Sequence, residues 1–145
     1  MTDEIDLMQM AGHLVRRLHQ QSTAVFQDHL KKAGYEVTSV QYAAMTILQN
    51  NPGLDQARLA KHIAYDRATI GGVVKRLENK GLVTRNQSEK DRRAFDLSLS
   101  PKGKALLAEI TPIVVGLQDE ILPHLSPEEK DTVHDLMKKA LCIRN

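Results

Sequence analysis

Residues 54–99 read LDQARLAKHIAYDRATIGGVVKRLENKGLVTRNQSEKDRRAFDLSL, and this stretch decides the fold. Asp55 can cap a short helix with Leu59, Ala60 and Ile63 inward, and Leu54 can staple to Leu59 across the cap. Asp66 can cap a second helix, with Tyr65 stapling to Ile70. On that helix Ile70, Val74 and Leu77 fall on one face at i, i+4, i+7. Gly81 ends it. Leu82 to Arg85 reads as a strand, and Phe95 to Leu99 alternates apolar and polar residues with period two. Between the strands lies a charged loop, Asn86 to Ala94. Helix, short turn, helix, then a hairpin with a projecting loop is the pattern of a winged helix-turn-helix.

The flanks are helical. Leu7, Ala11, Leu14, Leu18, Ser22 and Val25 repeat at the spacing of one helix face, in a segment running to about Lys32 and stopped by Ala33-Gly34. Thr38 and Gln41 offer a capping box for a helix of Val40 to Gln49, with Ala44, Ile47 and Leu48 inward. Asn50-Asn51-Pro52-Gly53 stops that helix. Ser100-Pro101 opens another helix, with Leu106, Ile110, Ile113 or Val114, and Leu117 inward and a kink expected at Pro112. Ser126-Pro127-Glu128-Glu129 opens the last, expected to run through Leu136, Ala140 and Ile143. The expected class is mainly α with a small β-hairpin, in the order α-α-α-α-β-β-α-α.

Charge separates along the chain. Residues 58–93 hold ten Lys and Arg against four Asp and Glu, whereas the remainder holds ten against fourteen. A basic middle between mildly acidic ends suggests one surface facing a polyanion; a solvated basic face is the bland alternative. With 145 residues and 41% apolar side chains the chain can bury one domain's core. Met1-Thr2-Asp3-Glu4 lacks the basic and apolar regions of a secretory signal, and the apolar runs fall far short of the roughly 20 residues of a membrane span. The single cysteine, Cys142, excludes an intramolecular disulfide and fits a reducing cytoplasm. No nucleophile–base pair, phosphate-cradling glycine loop or paired-carboxylate motif suggests an enzyme or a cofactor. The six histidines form no tight pair that would point to a metal.

An α-helix enters the major groove only if its outer face is small or polar and its inner face anchored. Here that face would be Arg67, Ala68, Thr69, Gly71, Gly72 and Lys75. Arg67, Ala68 and Thr69 sit at the helix N-terminus, which enters deepest and presents free amides to phosphates. Lys75, Arg76 and Lys80 would lie nearer the DNA backbones. Lys90, Arg92 and Arg93 would serve a wing in the minor groove, whose negative potential attracts arginine. The competing reading is a winged helix used for protein contacts, against which stand the basic wing tip and the lack of an exposed apolar residue on the second helix.

Residues 73–85 (VVKRLENKGLVTR), Asp91-Arg92-Arg93 and Leu99-Ser100-Pro101-Lys102-Gly103 carry a resemblance to the multiple-antibiotic-resistance regulator (MarR) family of bacterial transcription factors, over nearly the whole chain. In such proteins the acid of the wing orients the arginine that enters the minor groove, which implies Asp91 and Arg93. The sequence departs at Gly71-Gly72, where relatives carry larger residues and where each mid-helix glycine costs about 1 kcal/mol against Ala. Either the backbone approaches the bases closely there, or base reading at those positions is weak. The resemblance further implies a homodimer on pseudo-palindromic duplex DNA, with residues of about 4–32 and 101–145 intertwined and 38–100 as the DNA-binding lobe.

The resemblance also implies an effector, since such proteins bind small anionic aromatics between the dimerisation helices and the DNA-binding lobe. The stretch from His13 through Phe26 is similar to regulators of aromatic-acid catabolism. Arg16, His19, Thr23 and Phe26 fall on adjacent turns of one flank, where a guanidinium beside apolar surface can clamp a carboxylate bidentately. Arg17 points about 100° further round and can pair with an acid instead. A salt bridge is the competing role for either arginine. The resulting expectation is a repressor released from DNA by a small aromatic carboxylate, with another ligand class or oxidation at Cys142 as alternatives.

Overall fold

The computed structural model describes residues 3–63, 65–91 and 93–144. A 3₁₀ turn, Leu7–Gln9, precedes α1 (Ala11–Lys32), α2 (Ser39–Asn50), α3 (Gln56–Ile63) and α4 (Arg67–Asn79). The strands β1 (Val83–Gln87) and β2 (Phe95–Leu99) follow, then α5 (Pro101–Leu117), a second 3₁₀ turn (Gln118–Glu120) and α6 (Pro127–Ala140). The order is the one the sequence predicts.

Local chemistry sets the boundaries. The capping box of α2 forms: the Gln41 amide donates to Thr38 Oγ1 at 3.1 Å, and the Thr38 amide to Gln41 Oε1 at 3.2 Å. Asp55 Oδ1 accepts the Arg58 amide at 2.8 Å, Ser100 Oγ accepts the Gly103 amide at 3.0 Å, and α6 opens on a second capping box between Ser126 and Glu129. At the C-termini of α1 and α4, Gly34 (φ +86°) and Gly81 (φ +73°) turn left-handed. Each closes a Schellman pair: Tyr35 and Leu82 donate back to Leu30 and Leu77 at 2.9 Å each.

Several boundaries differ from the sequence reading. The first helix is broken at Met10, because Asp6 caps the short turn of 7–9 before α1 begins. Strand β1 starts at Val83 and reaches Gln87, since pairing across the hairpin continues from Val83↔Leu99 to Gln87↔Phe95. Helix α2 extends one residue further than expected at each end, to Ser39 and Asn50. Helix α6 stops at Ala140 rather than Ile143: Cys142 takes φ +56°, and the Ile143 amide bonds back to the Lys138 carbonyl at 2.9 Å.

The chain buries two apolar clusters. One, with Ala44, Met45, Leu48, Leu59, Ile70, Val74, Leu77 and Leu97, holds α2, α3, α4 and the hairpin together. The other, with Phe26, Leu30, Val37, Ile110, Val114 and Leu117, packs the C-terminal half of α1 on α5. Tyr42 and Leu106 touch both clusters. Of the predicted α1 stripe, Leu7, Leu14 and Leu18 stay at least 41% exposed, and among the described residues of α1 the apolar cluster with α5 takes in Val25, Phe26 and Leu30. No helix among the described residues is long and apolar enough to cross a membrane.

Candidate nucleic-acid interface

Ile70, Val73, Val74 and Leu77 bury one side of α4, which turns Arg67, Ala68, Thr69, Gly72, Lys75 and Arg76 to the surface. The helix N-terminus is fixed by Asp66. Its Oδ1 accepts the Thr69 amide at 2.8 Å, and its Oδ2 accepts the Thr69 hydroxyl proton at 2.9 Å. These bonds hold the Asp66 carboxyl below its usual value, the backbone bond first and the hydroxyl bond second. With its proton spent on Asp66, the Thr69 hydroxyl offers an outside partner only acceptor lone pairs and its γ-methyl.

The two glycines of α4 differ. A Cβ at Gly72 meets nothing within 4 Å, so this position is a bare window on the outer face. Gly71, grouped with the outer face in the sequence reading, is half-buried instead. A Cβ there would stand 3.2 Å from Gln56 Nε2 of α3.

Two basic residues of the segment are engaged by acceptors of the chain itself. Lys80 sends its ammonium to the Glu36 carbonyl at 2.7 Å, tying the end of α4 to the loop before α2. Arg85 is also spent internally: its Nη2 donates to Glu78 Oε1 at 3.0 Å and to Gln56 Oε1 at 3.3 Å. Sequence reasoning missed this arrangement, for Gln56, Glu78 and Arg85 share no spacing that announces it. It also missed the bridge of Leu54 to Leu97, whose amide donates to the Leu54 carbonyl at 2.8 Å and pins the start of α3 to the hairpin.

The wing tip is ordered by its own side chains. Ser88 Oγ accepts the amides of Lys90 and Asp91 at 3.3 and 3.4 Å. Asp91 Oδ1 accepts the Arg93 amide at 2.9 Å, so the acid acts on Arg93 through the main chain. Lys90 and Arg93 stand exposed; Arg92 lies outside the described residues.

On α1, Arg16 and Arg17 diverge. Arg16 Nη2 lies 3.4 Å from His13 Nδ1, whereas Arg17 Nη1 reaches the sulfur of Met8 at 3.3 Å rather than an acid. His19 is exposed and Thr23 half-buried; one turn on, Phe26 is buried with its ring centroid 6.1 Å from that of Tyr42. Tyr42 in turn shares a hydrogen bond of 3.2 Å with Thr111 of α5, so α1, α2 and α5 meet there.

The helix-turn-helix with its exposed, small-residue outer face and basic wing defines a winged-helix DNA-binding protein. The MarR family model matches residues 37–95. The chain is 33% identical over 135 residues to the transcriptional regulator HosA of Escherichia coli, spanning 93% of this chain and 97% of HosA. It is 31% identical to the transcriptional repressor NicR of Pseudomonas putida, spanning 94% of this chain and 85% of NicR. Among solved structures, BpsR of Bordetella bronchiseptica, whose DNA binding is regulated by 6-hydroxynicotinic acid, superposes with a TM-score of 0.85 at 27% identity, covering 94% of this chain and 96% of BpsR. The chain belongs to the MarR family and is a transcriptional regulator. That decides against the protein-interaction reading, and the role is not catalytic.

Proposed function

We propose that the protein is a homodimeric repressor that reads pseudo-palindromic duplex DNA and leaves it when a small aromatic carboxylate binds. The DNA reading is carried by one observation: α4 is anchored by four buried apolar residues while Arg67, Ala68, Thr69, Gly72, Lys75 and Arg76 face outward beside a basic wing. Arg67 and Thr69 read base edges, and Lys75 and Arg76 meet phosphates. Thr69 accepts from an exocyclic amine or packs its methyl on thymine. Lys90, Arg92 and Arg93 carry the wing into the minor groove, with Asp91 setting the course of the backbone at Arg93. Replacing Arg93 by Ala weakens specific binding by about 1–3 kcal/mol per half-site, and an operator titration matching the parent would remove the wing from this scheme.

The dimer is supported by α6, which buries no residue in its own chain, and by the exposed Leu7, Leu14, Leu18, Leu136 and Leu141. Helices of this length are marginal in water without a packed face. Repression and the effector class are supported by the likeness to NicR and to BpsR. Arg16 supplies the carboxylate clamp, with His19 and Thr23 on the same flank and the Phe26–Tyr42 pair two to three turns on. Arg17, held toward Met8, is the lesser contributor.

Ligand release requires different affinities for the free and DNA-bound forms. A coupling of about 1–3 kcal/mol lowers DNA affinity roughly 5–150-fold. The test titrates operator DNA with and without hydroxylated benzoates, cinnamates and nicotinates. Arg16→Ala keeps operator affinity and loses the ligand's effect; a normal response in that variant, or none to any such acid in the parent, overturns the effector reading and leaves the DNA reading standing.

A further inference from the structure

We propose that Arg85, though it belongs to the basic segment, touches no DNA and is a positioning residue that aims the wing relative to α4. Its guanidinium sits where three elements converge. It leaves β1 opposite Leu97 and bonds Glu78 near the end of α4 through Nε at 3.2 Å and Nη2 at 3.0 Å. From the same Nη2 it reaches Gln56 at the start of α3 at 3.3 Å. The fourth side is the Phe95 ring of β2, whose centroid lies 5.6 Å from the guanidinium carbon. Both charged side chains are about two-thirds covered, at 35% exposure for Arg85 and 30% for Glu78.

A planar fork with several fixed donors can serve α3, α4 and a ring of β2 together. A lysine ammonium on a flexible stem can satisfy one partner and not the set. The hairpin is a two-stranded ribbon, marginal alone, whose base is seated in the core by Val83, Leu97 and Leu99 and whose direction beyond it depends on what that base is bonded to. The Leu54–Leu97 bridge fixes the ribbon to the entry of α3, and Arg85 fixes it to α4. Gly71 belongs to the same unit, because a bare α-carbon there leaves Gln56 room to lie across α4 toward Arg85. Arg85 therefore couples the angle of the wing to the helix that reads the major groove.

The inference rests on the wing reading, and a double-mutant cycle separates the two. Arg85→Met, Arg93→Ala, Lys75→Ala and the pairs Arg85/Arg93 and Arg85/Lys75 are titrated against DNA selected from a random pool by the parent protein, with circular dichroism confirming the fold. Arg85→Met loses tenfold or more in specific affinity, Arg85→Lys does not restore it, and part of the loss disappears in the Arg93→Ala background, where a misaimed wing has only Lys90 and Arg92 left to misplace. In the Lys75→Ala background the loss persists in full. Should Arg85→Met fail to fold, Glu78→Gln carries the same cycle with a severalfold loss. Binding like the parent, or full additivity with Arg93→Ala, overturns the positioning role while the wing reading stands. An Arg93→Ala protein that binds like the parent removes both.

Discussion

Gly72 and Gly71 are adjacent and both cost α4 stability, yet they face different surroundings. Around Gly72 there is open space, and the bare helix can bring its backbone against the base pairs. Gly72→Ala should raise stability by about 0.5–1 kcal/mol through helix propensity while weakening specific DNA binding. Thermal melts and operator titrations on the same preparation check this; unchanged affinity would mean that the window is not used. Asp66 gives a pH signature. Because Thr69 bonds the carboxylate form, the folded chain holds this carboxyl below the usual value near 3.9. The unfolded chain then takes up its proton first as pH falls. The cap's contribution is whole above the ordinary carboxylate range and is lost as pH falls through the lowered value. Asp66→Asn keeps a capping acceptor that does not titrate, so the acid limb of its stability curve should be flatter than the parent's in urea titrations at a series of pH values. Equal slopes would assign that limb to other carboxyls.

At the scale of elements, a cluster of hydrogen bonds joins the end of α4 to the start of α5. Ser100 Oγ donates to the Gly81 carbonyl, the Ser100 amide donates to the Leu82 carbonyl at 3.0 Å, and Lys102 donates to the Lys80 carbonyl at 3.0 Å. Gly103 completes it, for a Cβ there would come within 2.1 Å of the Leu82 carbonyl oxygen. The end of α4 is thereby bolted to the start of α5, and α5 carries Thr111 and Glu109, which bond Tyr42 and Tyr35 at 3.2 and 3.1 Å. Gly103→Ala should destabilise by about 1–3 kcal/mol or more, as overpacked sites do, and lower DNA affinity in parallel. A urea midpoint equal to the parent's would show that the joint gives way freely. The caps of these helices were legible in the sequence because a cap is local, made by Thr38 with Gln41 or by Ser126 with Glu129. The need for glycine at 103 was not, since its neighbour is set by tertiary approach.

For the whole molecule, the unpaired surface is the dominant fact. Ile5, Leu7, Met10, Leu14 and Leu18 at one end of the chain, and Leu136, Met137, Leu141 and Ile143 at the other, are each between 41% and 72% exposed. Surface of this kind is seldom left to water in a folded monomer. In the proposed homodimer Leu136→Glu places a charge in the seam, so sedimentation at micromolar concentration should shift from dimer toward monomer, with operator affinity falling as two half-sites cease to be read together. A variant that sediments and binds like the parent would put the seam elsewhere.

The sequence by itself determined the order of elements, the caps at Thr38, Asp55, Asp66, Ser100 and Ser126, and the outer face of α4 except at Gly71. Periodicity and capping are properties of neighbours in the chain, and 73–85 and 91–93 further carried the family resemblance. It also placed Arg16 and Arg17 a helical step apart, a difference that packing turned into separate partners, His13 and Met8. The tertiary structure alone decided how the basic residues divide. Lys80 and Arg85 have the same charge as Lys75 and Arg93 and like them lie at the surface, yet Glu36, Glu78 and Gln56 hold the tips of the first pair by hydrogen bonds. Charge is written in composition, but the direction of a long side chain is set by which acceptors the fold brings within about 3 Å of its tip.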